Sequence, residues 1–221
     1  MEWNDPVPED IRSQWEKLRH ELSLLGCLKA PRYYKSDGIG ELSTVEMHLF
    51  SDACLLGYGQ CSYLRLLDNQ GNVSCSLVMA KSRVVPVKPI TIPRLELMAA
   101  FTSVLDSEFL NKELKYDGLS HFFWSESKFV LGYIANMSTR FHIVVANRVQ
   151  KIQDHTQPSQ CRYIESKKNP ADISSRGSSA DALIHKSIWW NGPVLLSTVQ
   201  IQSSISKPFM LDNDWHRLKR A

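Results

Sequence analysis

Apolar residues recur at helical spacing in three parts of the chain. Residues 8–25 carry the first stripe, with Pro8 suited to the opening turn and Gly26 to the stop. A second helix follows Pro93, and a third is predicted from about Ile143 to Asp154. The stripe residues are, in order, Ile11, Trp15, Leu18, Leu22 and Leu25; Leu95, Met98, Ala99, Thr102, Leu105 and Phe109; and Val145, Val149 and Ile152.

Short apolar runs bounded by turn residues predict five strands. They are Met47 to Ser51, Tyr58 to Leu66, Val73 to Ala80, His121 to Trp124 and Cys161 to Ile164. Two shorter helices are predicted, one capped by Ser127 and one entered through Asn169-Pro170. Three consecutive strands followed by strands alternating with helices predict an α/β protein with a mixed sheet covered by helices.

Composition narrows the class of protein only slightly. With 43% hydrophobic and 22% charged residues, the 221-residue chain is typical of a globular protein. A net charge of +3 permits nucleic-acid binding without arguing for it. The five cysteines form no zinc-binding spacing, and no apolar run matches a signal peptide or a membrane span. We therefore expect reduced thiols, no membrane contact, and a cytoplasmic or nuclear protein that is not secreted.

Four acidic residues stand where a packed core has no need of them: Asp52, Glu96, Glu126 and Asp172. If the strands that lead to Asp52 and Glu126 are neighbours, their carboxylates meet and repel each other. Hard divalent cations such as Mg²⁺ prefer such oxygen ligands. Taken singly, none of these signals is specific, and three of the four residues have an ordinary explanation. Asp52 suits a turn or cap, Glu96 a solvated helix position, and Asp172 a helix start where the dipole favours negative charge.

Two further features each leave two interpretations open. Lys81, Arg83 and Lys88 are predicted to form a basic loop after the third strand, close in sequence to Arg94. That loop either contacts phosphates or is simply solvated. The pair Trp189-Trp190 either stacks on nucleic-acid bases or packs the C-terminal segment onto the domain, and packing is favoured.

The order of these motifs resembles that of retrotransposon ribonuclease H domains, and more narrowly that of the BEL/Pao group. Four segments carry the carboxylates: Phe50-Ser51-Asp52-Ala53, Thr91 to Leu97, Trp124-Ser125-Glu126-Ser127, and Asn169-Pro170-Ala171-Asp172 continuing to Gly177. The BEL/Pao likeness rests on Ala80 to Val84, Ile92 to Ala100, Val145 to Val149 and Trp189 to Pro193. The stretch from Trp3 through the first helix resembles the segment that joins a reverse transcriptase to its ribonuclease H domain.

The resemblance implies a ribonuclease H-like fold, with a five-stranded mixed sheet flanked by helices, behind an N-terminal amphipathic helix. It implies an N-terminal helix and linker over 1–44, the ribonuclease H-like domain over 45–180 and a C-terminal extension over 181–221. Two Mg²⁺ or Mn²⁺ ions held by Asp52, Glu96, Glu126 and Asp172 would serve hydrolysis of the RNA strand of RNA–DNA hybrids. Lys81, Arg83 and Arg94 would contact the nucleic acid. Reverse-transcriptase and integrase parts of a polyprotein are the implied partners.

Position 126 departs from the family pattern, which has aspartate there. The extra methylene of Glu126 displaces the carboxylate by roughly 1 Å, and an error of that size can cost about 10²-fold in rate. Two functions therefore stay open. One is a two-metal ribonuclease H. The other is a noncatalytic, retrotransposon-derived module that binds nucleic acid or protein.

Overall fold

A computed structural model describes residues 6–29, 31, 33–136, 141–199 and 201. Its centre is one sheet of five strands in the order β3-β2-β1-β4-β5. Strands β1, β2 and β3 pair antiparallel, whereas β4 lies parallel to β1 and β5 parallel to β4. The bounds are β1 Leu42–Ala53, β2 Gly57–Asp68, β3 Val73–Val84, β4 Ser120–Ser125 and β5 Cys161–Tyr163. The mixed five-stranded sheet predicted from the sequence is confirmed.

Seven α-helices in the described residues surround the sheet: α1 Glu9–Leu24, α2 Ile92–Leu114, α3 Lys128–Ala135, α4 Ile143–His155, α5 Ala171–Arg176, α6 Ala180–His185 and α7 Ser187–Asn191. Helices α2, α3 and α4 share one core cluster, which contains Leu97, Val130 and Ile152. Helices α5 and α7 share another, with Phe50 and Trp124 of the sheet. Because both faces of the sheet are covered, the central strands are buried almost throughout.

Alternation along β1 decides which face each residue serves. Met47 and Leu49 pack in a cluster with Leu110 of α2, whereas Phe50 packs with Trp189 of α7. Asp52, two residues beyond Phe50, therefore shares the face that α5 covers. The sheet thus presents Asp52 at the C-terminal end of its central strand.

Strands β1 to β4 all extend beyond their predicted limits, and for β1 and β3 the extension contradicts a prediction about named residues. β1 continues to Ala53, so Asp52 lies within the strand and not after it. β3 continues to Val84, so Lys81 and Arg83 belong to a strand, and only Lys88 lies in the loop that was predicted to hold all three. Ladder pairing of β3 with β2 as far as Gly57 extends the strand through a polar stretch that sequence pattern alone reads as loop.

The apolar stripe predicted for α4 is confirmed, and the stripe predicted for α2 is confirmed in part. Val145, Val149 and Ile152 are buried in α4, and Ser127 caps α3 by accepting a hydrogen bond from the Val130 amide. In α2, however, Leu105 and Phe109 are 40% and 49% exposed. Leu97, Val104 and Leu110 are buried there instead, which rotates the core-facing side.

The segment after α6 folds back over the sheet. Trp189 is buried beside Phe50 and Trp124, which confirms that this tryptophan packs the C-terminal segment onto the domain. Behind it, fully buried Arg65 of β2 donates to the carbonyls of Leu196, Thr198 and Val199 at 2.6–3.0 Å. The same guanidinium donates to Glu46 Oε2 at 2.7 Å. We call residues 193–199, held in this way, the C-terminal strap.

The N-terminal helix is mostly exposed. No residue of α1 is buried, and Trp15 of its apolar stripe is 59% exposed. Its described contact with the rest of the domain is at α6, where Glu21 accepts from the Ala180 amide at 3.4 Å. The domain limits at 44/45 and 180/181 stay predictions. Among the described helices, none is both long and apolar enough to cross a membrane.

Candidate active site

Two carboxylates meet because β1 and β4 are parallel neighbours. The pairing ends with Ser51 of β1 opposite Ser125 of β4. The next residue is Asp52 after Ser51 and Glu126 after Ser125. The expectation that these two strands are adjacent is confirmed. Parallel strands deliver their C-terminal ends to the same edge of a sheet, so the two side chains stand at one edge.

Asp52 is buried, with 4% of its surface exposed. Burial raises its pKa to about 6, and the negative charges of Glu126 and Asp172 add to the rise. The Ser175 hydroxyl donates a hydrogen bond to Asp52 Oδ2, which lowers the pKa and offsets part of the rise. Asp52 is therefore a carboxylate that is costly to ionise and that gains from nearby positive charge.

Glu96 reaches the same edge from the start of α2. The Ser127 hydroxyl donates to Glu96 Oε2 at 2.5 Å, while Ser127 also caps α3. Burial raises the pKa of Glu96, the Ser127 hydrogen bond lowers it, and the charges of Asp52 and Glu126 raise it further. One serine thus fixes both the glutamate and the helix that follows β4.

Asp172 comes from α5, which Asn169 ties to the end of β1. The Asn169 side chain donates to the Ser51 carbonyl at 3.1 Å and accepts from the Ala171 amide at 3.2 Å. On the outer side, Arg176 Nε donates to Asp172 Oδ1 at 2.5 Å. The sequence singled out Asn169-Pro170 as a helix start, but not Asn169 as the residue that joins α5 to the sheet.

Glu126 differs from the other three because part of its charge is unpaired. Its Oε2 atom is buried and has no hydrogen-bond partner among the described residues. An unpaired buried carboxylate oxygen is costly, and a divalent cation would offset that cost. The oxygen donors of Asp52, Glu96, Glu126 and Asp172 therefore suit a hard cation such as Mg²⁺.

The four carboxylates are not arranged as the complete ligand shell of a metal ion. Across the described ranges, no three acidic, histidine or cysteine side chains converge closely enough to hold a metal together. Three of the four are engaged by Ser127, Ser175 and Arg176. The structure thus places all four predicted carboxylates at one edge, where the charges of Glu96, Glu126 and Asp172 lie close to Asp52. Three of them are oriented by a hydrogen bond, whereas Glu126 Oε2 has no partner among the described residues.

The predicted nucleic-acid contacts divide into two groups. Lys81 pairs with buried Asp106 of α2, which also accepts from Gln60 at 2.8 Å. Arg83 and Arg94 are exposed near the carboxylate edge, on β3 and in the first turn of α2. Sequence pattern did not identify Asp106, because an acid within a helix is recognised as buried only once its partner on another strand is known.

Comparison with known proteins identifies the family. A family model described as the Pao retrotransposon-like RNaseH-like domain matches residues 1–127, more than half of the chain. No curated protein sequence matches the chain.

Solved structures of ribonucleases H are similar to parts of the chain. RNase H1 from the halophilic archaeon Halobacterium salinarum NRC-1 is 9% identical, with a TM-score of 0.39 over 60% of this chain and 94% of its own. An N-terminal RNase H domain from Mycobacterium tuberculosis, solved as a fusion with maltose-binding protein, is 12% identical, with a TM-score of 0.40 over 63% and 96%. LC11-RNase H1 in complex with an RNA/DNA hybrid is 14% identical, with a TM-score of 0.40 over 63% and 99%.

Proposed function

The chain belongs to the Pao retrotransposon-like RNaseH-like domain family, and from this premise we propose that it hydrolyses the RNA strand of RNA–DNA hybrids. The observation that carries the proposal is the buried, unpaired Glu126 oxygen beside Asp52 at the shared end of β1 and β4. Asp52, Glu96, Glu126 and Asp172 would hold two divalent cations, Mg²⁺ or Mn²⁺. When bound, such ions lower the pKa of water and stabilise both oxygens of an in-line phosphodiester displacement.

The chain's own residues prepare this edge for that chemistry. With a pKa of about 6, Asp52 is ionised at neutral pH, and the Ser175 hydroxyl holds its orientation. The Ser127 hydroxyl does the same for Glu96. Because Asp52 is buried and Glu96 is partly buried, bulk water screens their charge less, so a cation bound there is attracted more strongly than at an exposed site.

Selection of the RNA strand would come from contacts with 2′-hydroxyls across the shallow minor groove, not from reading the bases. Arg83 and Arg94 lie exposed near the carboxylate edge, where they would contact phosphates. Lys81 would contact phosphate less strongly than the two arginines, because its charge is offset by the ion pair with Asp106. Reverse-transcriptase and integrase parts of a polyprotein are the partners that we propose for the domain.

A noncatalytic, retrotransposon-derived module that binds nucleic acid or protein is the second candidate. Two observations favour it. Glu126 is one methylene longer than the family's aspartate, and Arg176 occupies an oxygen of Asp172. Both features leave the fold and the charged edge intact while weakening the geometry that catalysis requires.

Cleavage of a labelled RNA–DNA hybrid in Mg²⁺ and in Mn²⁺ separates the two candidates. The native chain is compared with Glu126→Asp, with Asp52→Asn, and with Asp117→Asn as a matched change of an exposed aspartate away from the carboxylate edge. We expect the native chain and Asp117→Asn to cleave equally and Asp52→Asn to be inactive. Glu126→Asp is expected to cleave faster, by up to about 10²-fold.

Cleavage by Glu126→Asp alone would mean that the native site is disabled at that one carboxylate. Silence of every folded variant, including Glu126→Asp, would overturn the enzyme in favour of the binding module.

A further inference from the structure

Apolar residues of the N-terminal helix recur at intervals of four, three, four and three residues, at Ile11, Trp15, Leu18, Leu22 and Leu25. This is the spacing of positions a and d in a heptad, by which two helices wound around each other pack. A helix that packs on its own domain usually carries a wider stripe, with a third apolar residue in each heptad. We call these five residues the α1 seam, and their spacing indicates that another helix packs there.

No element within the described part of the chain covers the α1 seam in this way. Ile11, Trp15, Leu18 and Leu22 are between 47% and 59% exposed. None of the core clusters of the described residues includes a residue of α1. Helix α6 contacts α1 near Glu21, but it is only six residues long. A large apolar face is thus left in water, where a partner helix would stabilise it by burial.

The charges beside the seam distinguish between kinds of partner. At the heptad positions that flank the seam, one side carries Arg12 and Arg19, and the other carries Gln14 and Glu21. Glu21 faces the domain, since it accepts from the Ala180 amide at 3.4 Å and its side chain is only 23% exposed. The flank that is open to a partner therefore carries two arginines.

These two arginines are not strongly paired on their own helix. Arg12 lies 3.9 Å from Glu9 and 4.0 Å from Glu16, and exposed pairs of this kind contribute little because water screens them. Arg19 takes part in no ion pair among the described residues. Acidic residues beside the seam of a partner helix would complement both arginines.

A second copy of α1 does not supply such residues. Antiparallel pairing would place Arg12 of one copy beside Arg19 of the other, and these like charges repel each other. Parallel pairing would place Arg19 beside Gln14 and Glu21 beside Gly26, so no ion pair would form. The charges therefore favour a different helix over a second copy of this chain.

We propose that the α1 seam docks an amphipathic helix of another protein, and that this helix carries glutamate or aspartate beside its own apolar residues. Trp15 lies near the middle of the seam and is its most exposed member, at 59%. It would be the principal contact, because buried tryptophans contribute much of the binding energy of protein interfaces. Docking on this face requires neither nucleic acid nor nuclease activity.

Binding is measured by fluorescence anisotropy with two labelled synthetic helices, in the absence of nucleic acid. Each peptide has three heptads with leucine at positions a and d. One carries glutamate and the other lysine at the flanking positions, so that neither peptide pairs with itself. We expect the full chain to bind the glutamate peptide about tenfold more tightly than the lysine peptide. The preference is expected to narrow at about 1 M salt, where the Debye length is roughly 3 Å.

The double variant Trp15→Ala/Leu22→Ala removes apolar contacts of the seam. It is expected to bind the glutamate peptide about tenfold more weakly. It should melt at the same temperature as the native chain, because no residue of α1 is buried. Ile143→Ala/Val144→Ala is the matched control, since these apolar residues of α4 are 73% and 47% exposed, and its binding is expected to be normal.

Two further measurements examine the charges and the second copy. Arg12→Gln/Arg19→Gln keeps the apolar seam and is expected to bind the two peptides with equal affinity. Light scattering of the native chain is expected to show a monomer. A native dimer that Trp15→Ala/Leu22→Ala converts to a monomer would overturn the proposed partner, because a second copy would then cover the seam.

Equal affinity of the native chain for the two peptides would overturn the proposal, since the arginines would then select no partner. Failure of the native chain to bind the glutamate peptide would also overturn it, as would unchanged affinity in Trp15→Ala/Leu22→Ala. Selective binding that depends on the seam would support the docking site even if no variant cleaves an RNA–DNA hybrid, because nucleic acid is absent from these measurements.

Discussion

At the scale of single residues, the buried carboxylate of Asp52 lowers the stability of the folded domain when it is ionised. Burial raises the pKa of Asp52 to about 6 from an ordinary 3.8, so the folded state holds this proton more tightly than the unfolded chain does. Stability linked to Asp52 is therefore fully present below pH 3.8 and is lost as pH rises to about 6. At neutral pH the charged side chain costs about 2–3 kcal/mol of the free energy of unfolding.

Asp52→Asn is accordingly expected to raise the melting temperature in EDTA at pH 7.5, and the gain should disappear as pH falls to 4. The amide still accepts the hydrogen bond from Ser175 but carries no charge. Thermal unfolding across this pH range, with Asp117→Asn as the exposed control, measures the effect. A gain that is the same at both ends of the range would show that the charge of Asp52 is not the cause.

Sequence motifs located the four carboxylates but not the residues that orient them. No single position was decisive, and the order of the four motifs, with the family resemblance that it carries, singled out Asp52, Glu96, Glu126 and Asp172. Ser175 lies 123 residues from Asp52, and Asn169 lies 118 residues from Ser51. Such partners are set by the packing of α5 on the sheet, which no local pattern reports.

At the scale of elements, the close approach of α5 to β2 depends on Gly59. A Cβ atom there would lie 2.5 Å from the Lys81 carbonyl oxygen and 2.8 Å from Ser174 Cβ. Both contacts are shorter than a Cβ atom tolerates, so either the backbone of β3 or helix α5 would have to shift. The same packing places Asp172 and Ser175 beside Asp52.

Gly59→Ala is therefore expected to lower the free energy of unfolding by about 2–3 kcal/mol and to reduce hybrid cleavage, because α5 must shift outward. Gly26→Ala is the matched control, since nothing lies within 4 Å of a Cβ atom at that position. Urea unfolding of both variants measures the difference. Equal stability of the two would show that α5 accommodates the methyl group without strain.

The five strands and helices α1 to α5 were predicted, but α6 and α7 were not, and several limits and buried faces differ from the prediction. Periodicity identified α4 and its three buried residues correctly. It assigned Leu105 and Phe109 to the core-facing side of α2, yet both side chains are largely exposed. It also ended β3 at Ala80, because the polar residues beyond are held in the strand by pairing with β2.

At the scale of the whole molecule, Arg65 joins the central sheet to the C-terminal strap. Its guanidinium donates to Glu46 and to three strap carbonyls, and it is only 2% exposed. Arg65→Met is expected to lower the free energy of unfolding by about 3–5 kcal/mol, since Glu46 loses its cation and the carbonyls lose their donors. Arg65→Lys should lose less, because the charge remains but the planar fork does not.

Urea unfolding compares these variants with Arg19→Met, which changes an exposed arginine of α1. If Arg65→Met were as stable as Arg19→Met, the strap would be held by its apolar contacts alone. The sequence favoured packing for Trp189, and this is confirmed, but nothing in the strap's own residues pointed to Arg65. The strap binds Arg65 through backbone carbonyls, which every residue type carries, so its sequence does not reveal the contact.

The strap also imposes an order on synthesis. Arg65 and Leu196 are 131 residues apart, yet the Arg65 guanidinium has its strap acceptors only when residues 196–199 are in place. At about 5–20 residues per second, a ribosome needs roughly 7–26 s to extend the chain from one to the other. During that interval β1 and β2 can pair, but an arginine and a glutamate remain open to water within the future core. The nascent chain thus reaches its final packing only after Leu196 has been translated, and until then the part of the sheet that the strap covers stays open to water.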